Sequence, residues 1–171
     1  MTRESGAARL PGVLAALAVL LLVACGVGGY AVYREHDNRS AALAEQQRYG
    51  AVLEAARQTA TAFVNIDYRD PQASFDAVAA GATGEFLDQY VGSTESLVDL
   101  LKTNQSVMTG AVGAAAVTGL DADSATVIVA TNGSVSNVSS NEEQTARDFR
   151  LRLDLLLVAG EWRTNNLEFV G

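Results

Sequence analysis

The candidates for proton transfer in this sequence are four side chains that could line a cup: Asp67, Tyr68, Tyr90 and Asp154. An aspartate beside a tyrosine can serve as a base and a hydrogen-bond donor next to a substrate carbonyl. Their spacing does not require this chemistry, because an aspartate at a helix end commonly caps it and a tyrosine commonly packs in a core. We therefore expect Asp67 to end a helix, the tyrosines to pack, and the protein to have no catalytic residue.

The remaining composition argues against most other enzyme classes. The single histidine, His36, and the single cysteine, Cys25, both lie in or beside an apolar N-terminal run. The folded part then offers neither imidazole nor thiolate, so the sequence predicts no metal site and no cofactor. The formal net charge is −8 and the basic residues form no stripe, which argues against nucleic acid as a partner.

A second set of polar residues lies near the C-terminus, where Phe149, Leu151, Leu153, Leu155 and Leu157 alternate with Arg150, Arg152, Asp154, Leu156 and Val158. This alternation predicts a half-buried strand. Arg150, Arg152 and Asp154 then share one face, within about 5 Å of residues on neighbouring strands. We interpret these three residues as a candidate surface for docking a partner protein. The alternative is a solvated face whose ion pairs each contribute at most about 1 kcal/mol.

The apolar run from Leu10 to Tyr33 contains 24 residues and no charge. A helix of that length spans about 36 Å, enough to cross a bilayer. We predict a cytoplasmic tail over residues 1–9, a transmembrane anchor over residues 10–33, and an extracytoplasmic domain over residues 34–171. The flanking charges favour this single-pass orientation in the cell membrane only weakly.

A competing interpretation of the same run is a lipoprotein signal. Leu22-Val23-Ala24-Cys25 resembles the bacterial lipobox, in which case Cys25 would be cleaved and lipidated. The eight residues after Cys25 remain apolar, whereas a lipoprotein normally becomes polar there. Either interpretation places the domain outside the cytoplasm.

The pattern of the soluble part predicts helices first and strands afterwards. A long amphipathic helix is expected over residues 41–66, and Asp70 followed by Pro71 predicts the start of a short second helix. A third helix is expected from Thr83 to about Asn104. Its predicted buried stripe is Phe86, Leu87, Tyr90, Val91, Leu97, Val98 and Leu101.

Strands are expected from about residue 107 onward, and the last two form a hairpin that turns at Gly160-Glu161. Asn132-Gly133 could be a hairpin turn or a bulge in a long strand. The predicted fold class is therefore α+β, with an N-terminal transmembrane helix followed by three helices packed on a curved antiparallel sheet of about four strands.

Several local patterns resemble the actinobacterial Mce-associated membrane proteins, named after the mammalian cell entry lipid-import systems. The matching segments are Asp67-Tyr68-Arg69-Asp70-Pro71, Phe75-Asp76 with Val78, Thr83-Gly84-Glu85-Phe86 with Tyr90, and Gly160-Glu161-Trp162-Arg163. With the leading anchor, the resemblance covers most of the chain. It implies a nuclear transport factor 2-like cone and an accessory role in a cell-envelope lipid transporter.

The leading hypothesis is therefore a non-catalytic, membrane-anchored accessory or scaffold protein of a cell-envelope complex that supports an Mce-type lipid importer. Its expected partners are the membrane, through residues 10–33, and other envelope proteins such as lipid-transport subunits. Homo-oligomerisation is left open. One alternative is a scaffold subunit of a secretion or conjugation system. The other is a small-molecule isomerase or lipid carrier with an apolar cup, which would hold Asp67 or Asp154 in a deep pocket.

Overall fold

The computed structural model describes residues 42–140 and 143–171. The chain divides into two compact units, Met1–Gln46 and Gln47–Gly171, and the second unit contains the sheet and most of the helical residues. The helices are α1 (42–63), α2 (Pro71–Ala80) and α3 (Gly84–Asn104), and a 3-10 turn covers Val138–Ser140. The strands are β1 (Ile66–Asp67), β2 (Val107–Leu120), β3 (Ser124–Ser136), β4 (Thr145–Val158) and β5 (Glu161–Phe169).

Helix α1 packs on one face of the sheet because its small apolar residues recur at a spacing of four. Val52, Ala56 and Ala60 are fully buried against alternate residues of the central strands. The strand side of this core consists of Ala125, Val127, Val129, Leu151, Leu153, Leu155 and Trp162. Burying each large side chain contributes about 1.5–3 kcal/mol, so this layer holds the unit together.

The five strands form one antiparallel sheet in sequential order, from β1 to β5. Leu153 lies opposite Val127 and Leu151 opposite Val129, so their side chains share the face covered by α1. Register shifts on β2 between Val112 and Ala114, and between Val117 and Gly119, mark bulges. Bulges bend a strand and increase its twist, which curls the sheet around the helices.

Asn132-Gly133 is neither a turn nor a bulge. Both residues lie inside β3, where they face Ala111 and Gly110 of β2. The irregularities fall on β2 instead. Gly133 is needed for close approach, since a Cβ there would lie 2.4 Å from the Thr109 carbonyl oxygen. An Asn-Gly pair can therefore mark either a hairpin turn or a close approach of two paired strands.

Helix α2 begins as predicted. The Asp70 carboxylate accepts a hydrogen bond from the Ala73 backbone N–H at 3.2 Å, and Pro71 occupies the first turn.

Helix α3 has the predicted bounds, but its predicted apolar stripe is only partly buried. None of its residues is fully buried, and Val91 is 56% exposed. The physical reason is that α3 packs against α2 and β5, whereas α1 lies on the central strands of the sheet.

Two further predictions require correction. The sheet has five strands rather than about four, because Ile66–Asp67 pairs with Met108 and Val107 as β1. The long helix consequently ends at residue 63, short of Ile66, and Asp67 belongs to a strand rather than to a helix end. The predicted anchor over residues 10–33 and Cys25 lie outside the described residues. Among those described, no helix is long and apolar enough to span a bilayer.

Candidate functional site: the outer face of the sheet

The outer face is the side of the sheet opposite the α1 core, and strand alternation brings the predicted docking residues together there. Arg150 lies opposite Ala130, Arg152 opposite Ile128, and Asp154 opposite Thr126. The flanking residues Leu151, Leu153 and Leu155 point into the core. The predicted strand register is therefore confirmed, except that Leu157 at the strand end is exposed.

Asp154 lies at the centre of a polar network on this face. One carboxylate oxygen, Oδ1, accepts a hydrogen bond from the Thr126 hydroxyl at 2.8 Å, and Oδ2 accepts one from the Asn166 amide at 3.3 Å. Arg152 forms an ion pair with Oδ1 at 3.3 Å. The network holds a negative charge in a fixed orientation beside a cation, which suits recognition of a polar partner.

The ion pair itself contributes little to folding. The Arg152 side chain is 45% exposed and that of Asp154 30%, so water screens their attraction, and such pairs contribute at most about 1 kcal/mol. These polar groups are thus available for a partner at small cost to stability.

A groove of about 510 Å³ opens on the outer face, across β2, β3 and β4. Its lining includes the small residues Ala114 and Ala130 and the polar residues Asn132, Asp148 and Arg150. Arg150 therefore lies between the groove and the Asp154 network. Shallow grooves beside oriented charges fit an extended segment or a surface of a protein better than they fit an enclosed small molecule.

Asp67 is placed away from this face, in β1. Its carboxylate accepts hydrogen bonds from the Arg69 guanidinium at 2.8 and 2.9 Å and from the Arg69 backbone N–H at 2.9 Å. The hydrogen bond from the Arg69 side chain lowers the pKa of Asp67, which keeps the carboxylate ionised. These contacts fix the turn before α2.

Tyr90 is a packing residue. Its ring lies 5.3 Å from that of Phe75 and 5.7 Å from that of Phe86, and burial raises its pKa to about 12. The phenol therefore stays neutral near pH 7 and is a poor base. Asp67 binds Arg69, Tyr90 packs against Phe75 and Phe86, and Asp154 binds Thr126 and Asn166. No hydrogen bond joins Asp67, Tyr90 and Asp154 to one another.

Two structural features have no signal in the periodicity of the sequence. The Asn65 amide donates to the Gly110 carbonyl at 2.8 Å and accepts from the Gly110 backbone N–H at 3.2 Å. It thereby extends the short β1 pairing along the edge of β2. Within the core, the Thr164 hydroxyl lies 3.2 Å from that of Thr59 and joins β5 to α1. Both depend on contacts between residues distant in sequence.

The fold is similar to solved structures of low sequence identity. One is an IcmL-like type IV secretion system protein from Legionella pneumophila, with a TM-score of 0.56 and 11% identity, covering 69% of this chain and 88% of that chain. Another is a ketosteroid isomerase-like protein from Erwinia carotovora atroseptica, with a TM-score of 0.53 and 21% identity, covering 72% and 96% of the two chains. The predicted nuclear transport factor 2-like fold is confirmed by this similarity.

Sequence comparison identifies relatives over nearly the whole chain. The protein Rv1363c of Mycobacterium tuberculosis is 27% identical over 157 residues, which are 92% of this chain and 58% of that relative's length. The family model described as "Uncharacterized protein Rv1363c/MT1408-like" matches residues 10–171. The chain belongs to the Rv1363c/MT1408-like family.

Proposed function

We propose that this protein is a non-catalytic accessory or scaffold subunit of a cell-envelope complex, held in the cell membrane by residues 10–33 with its domain outside the cytoplasm. Its outer face binds other envelope proteins. The observation that carries the proposal is the contrast between a core face filled by side chains and an outer face with the oriented Arg152–Asp154 network and an open groove.

An Mce-type lipid importer is the complex that we favour. The support is the resemblance of the Asp67-Tyr68-Arg69-Asp70-Pro71 segment and the Trp162 hairpin to Mce-associated proteins. The similarity to a mycobacterial protein is compatible with this assignment. The partners would then be lipid-transport subunits.

A secretion or conjugation scaffold is the second candidate, and a specific observation favours it. The fold is similar to that of a type IV secretion system protein. At 11% identity this is a likeness of fold, and a fold hosts many functions. The two candidates predict the same docking face and differ in the proteins bound to it.

Co-purification from native membranes tests the docking face and separates the candidates. We expect wild-type protein to recover lipid-transport subunits, and Arg150→Glu with Arg152→Glu to lose them, because reversed charges repel a complementary surface. Arg57→Glu is the matched control, since Arg57 is exposed on α1, on the other side of the sheet. Recovery of secretion subunits would favour the second candidate. Equal recovery by all three proteins would exclude the outer face.

The anchor is tested separately by fractionation and intact mass. The uncharged run from Leu10 to Tyr33 predicts that the chain stays in the membrane fraction after a high-salt wash. An unprocessed mass is expected. A lipidated mass that starts at Cys25 would instead establish the lipoprotein.

A further inference from the structure

The turn between β4 and β5 is unusually apolar for a hairpin end. The apolar tip consists of Leu156, Leu157, Val158, Ala159 and Gly160, five consecutive exposed residues without a polar side chain. Leu156, Leu157 and Val158 are 38%, 37% and 39% exposed. Turns on water-facing surfaces are normally polar, and an exposed apolar run of this length is a defect unless it contacts something.

The backbone of the turn sharpens this observation. Ala159 and Gly160 have φ angles of 52° and 87°, the left-handed conformation required at both central positions of a type I′ turn. Asn, Asp and Gly are the usual residues at the first of these positions, because the Cβ of alanine is crowded there. The chain thus carries an apolar residue where folding alone favours a polar one.

The apolar tip lies near residues 48–51 of α1, at the start of the second unit. The Leu157 backbone N–H donates to the Asp123 carbonyl at 2.8 Å, and the Arg48 guanidinium donates to the Asp121 carbonyl at 3.3 Å. Gly160 and Trp162 also line a groove with Ala51 of α1. Residues 48–51 of α1, the β2–β3 turn and the apolar tip therefore lie at one end of the second unit.

The length of chain before α1 limits how far this end can be from a bilayer. Eight residues, 34–41, separate the uncharged run from the helix, and a chain of that length reaches at most about 28 Å. Tyr49, 42% exposed, lies on the early part of α1. Tyrosine with aliphatic neighbours is the composition favoured at membrane interfaces.

We propose that the apolar tip and Tyr49 contact the interfacial layer of the bilayer that anchors the chain, and so hold the domain in one orientation on the membrane. The proposal rests on the membrane anchor of the proposed function. The acidic residues Asp121, Asp123 and Glu161 flank the tip and would be repelled by anionic headgroups. The lipid contacted is therefore zwitterionic.

Trp162, the only tryptophan of the chain, reports on this contact. It is the cross-strand partner of Leu157. The experiment reconstitutes the full chain into phosphatidylcholine vesicles that contain increasing fractions of lipid brominated near the headgroup. We expect Trp162 fluorescence to fall as the brominated fraction rises. Val158→Glu should restore most of the lost fluorescence, because a charge on the tip withdraws it from the interface.

Two further variants separate contact from folding. Ala159→Asn makes the tip more polar, so it should weaken quenching. Asparagine also suits the turn better than alanine, so the variant should resist denaturant at least as well as wild type. Val138→Glu places the same charge on an exposed valine in the β3–β4 connection, at the opposite end of β4, and should leave quenching unchanged.

The outcomes distinguish the tip from the anchor. A chain that stays with the vesicles while brominated lipid leaves Trp162 unquenched overturns the tip proposal and leaves the anchor intact. Equal loss of quenching in the Val158 and Val138 variants also overturns it. A chain that does not stay with the vesicles overturns the anchor, and the tip contact with it.

Discussion

The two faces of β4 are specified by different physical effects. Leu151, Leu153 and Leu155 are at most 1% exposed and contact α1, β3 and β5. Arg150 and Arg152 project from the same strand into water, beside Asp154. Packing constrains the first face in every direction, whereas the second is constrained only by weak polar contacts. One face is therefore expected to govern folding and the other association.

The largest effect is expected at the core face. Leu153→Ala should lower the free energy of unfolding by about 2–5 kcal/mol, because the fully buried side chain leaves a cavity. Denaturant unfolding of the full chain in detergent, followed by Trp162 fluorescence, measures it. Leu100→Ala on α3 is the control, and should change little because Leu100 is exposed. Equal effects would remove the distinction between the two environments.

A smaller effect is expected where the backbones of β2 and β3 approach closely. A Cβ at Gly133 would lie 2.4 Å from the Thr109 carbonyl oxygen and 2.8 Å from the Gly110 Cα, both backbone atoms. Gly133→Ala should therefore cost about 1–3 kcal/mol through strain. Gly92→Ala, in open space on α3, should instead stabilise the chain by about 0.5–1 kcal/mol. The same unfolding measurement applies, and a neutral Gly133→Ala would contradict the close approach of the two strands.

The outer face should show the opposite behaviour to the core. Arg150→Ala and Arg152→Ala should each change the free energy of unfolding by no more than about 0.5 kcal/mol, since both side chains are exposed. Both should nevertheless weaken recovery of partner proteins from membranes. Unfolding of either arginine variant, with a neutral Leu153→Ala, would show that the two faces have been exchanged.

The sequence predicts β4 well because burial imposes a period of two on it. Leu151, Leu153 and Leu155 are buried in the expected register, and Arg150 and Arg152 are exposed. The α2 cap at Asp70 is equally predictable, since the interaction is local. Both signals need only the residues of one element and their neighbours in sequence.

Features that depend on distant contacts escape the sequence or are assigned wrongly from it. β1 forms because Ile66 and Asp67 meet the start of β2, and nothing in the helical pattern before it marks that encounter. The expected burial of Val91 is wrong because periodicity shows that a helix has an apolar stripe, not how much of the stripe is covered. The separation of Asp67 from Asp154 likewise depends on the order of strands in the sheet. The sequence alone therefore could not exclude the alternative of a small-molecule site in an apolar cup.

The smallest expected effect concerns Asp67, the residue that would matter most to an enzyme. Its pKa in the folded chain lies below the usual 3.8 because Arg69 donates hydrogen bonds to its carboxylate. A depressed pKa stabilises the fold above the unfolded-state pKa, and the contribution disappears as pH falls through the lower folded-state value. Asp67→Asn should therefore be slightly less stable than wild type at neutral pH, with the difference vanishing in strong acid.

Cellular function separates this structural role from a catalytic one. Asp67→Asn should retain activity in a complementation assay, because its carboxylate fixes a turn. Asp154→Asn should lose no more activity than Arg152→Ala, because both substitutions change the same docking network. Unfolding curves collected across the acidic range supply the stability comparison for each variant. Loss of cellular activity by Asp67→Asn, in a chain that unfolds like wild type, would mean that this carboxylate acts chemically. A loss for Asp154→Asn far greater than that for Arg152→Ala would mean that the outer face is a site of reaction rather than of docking.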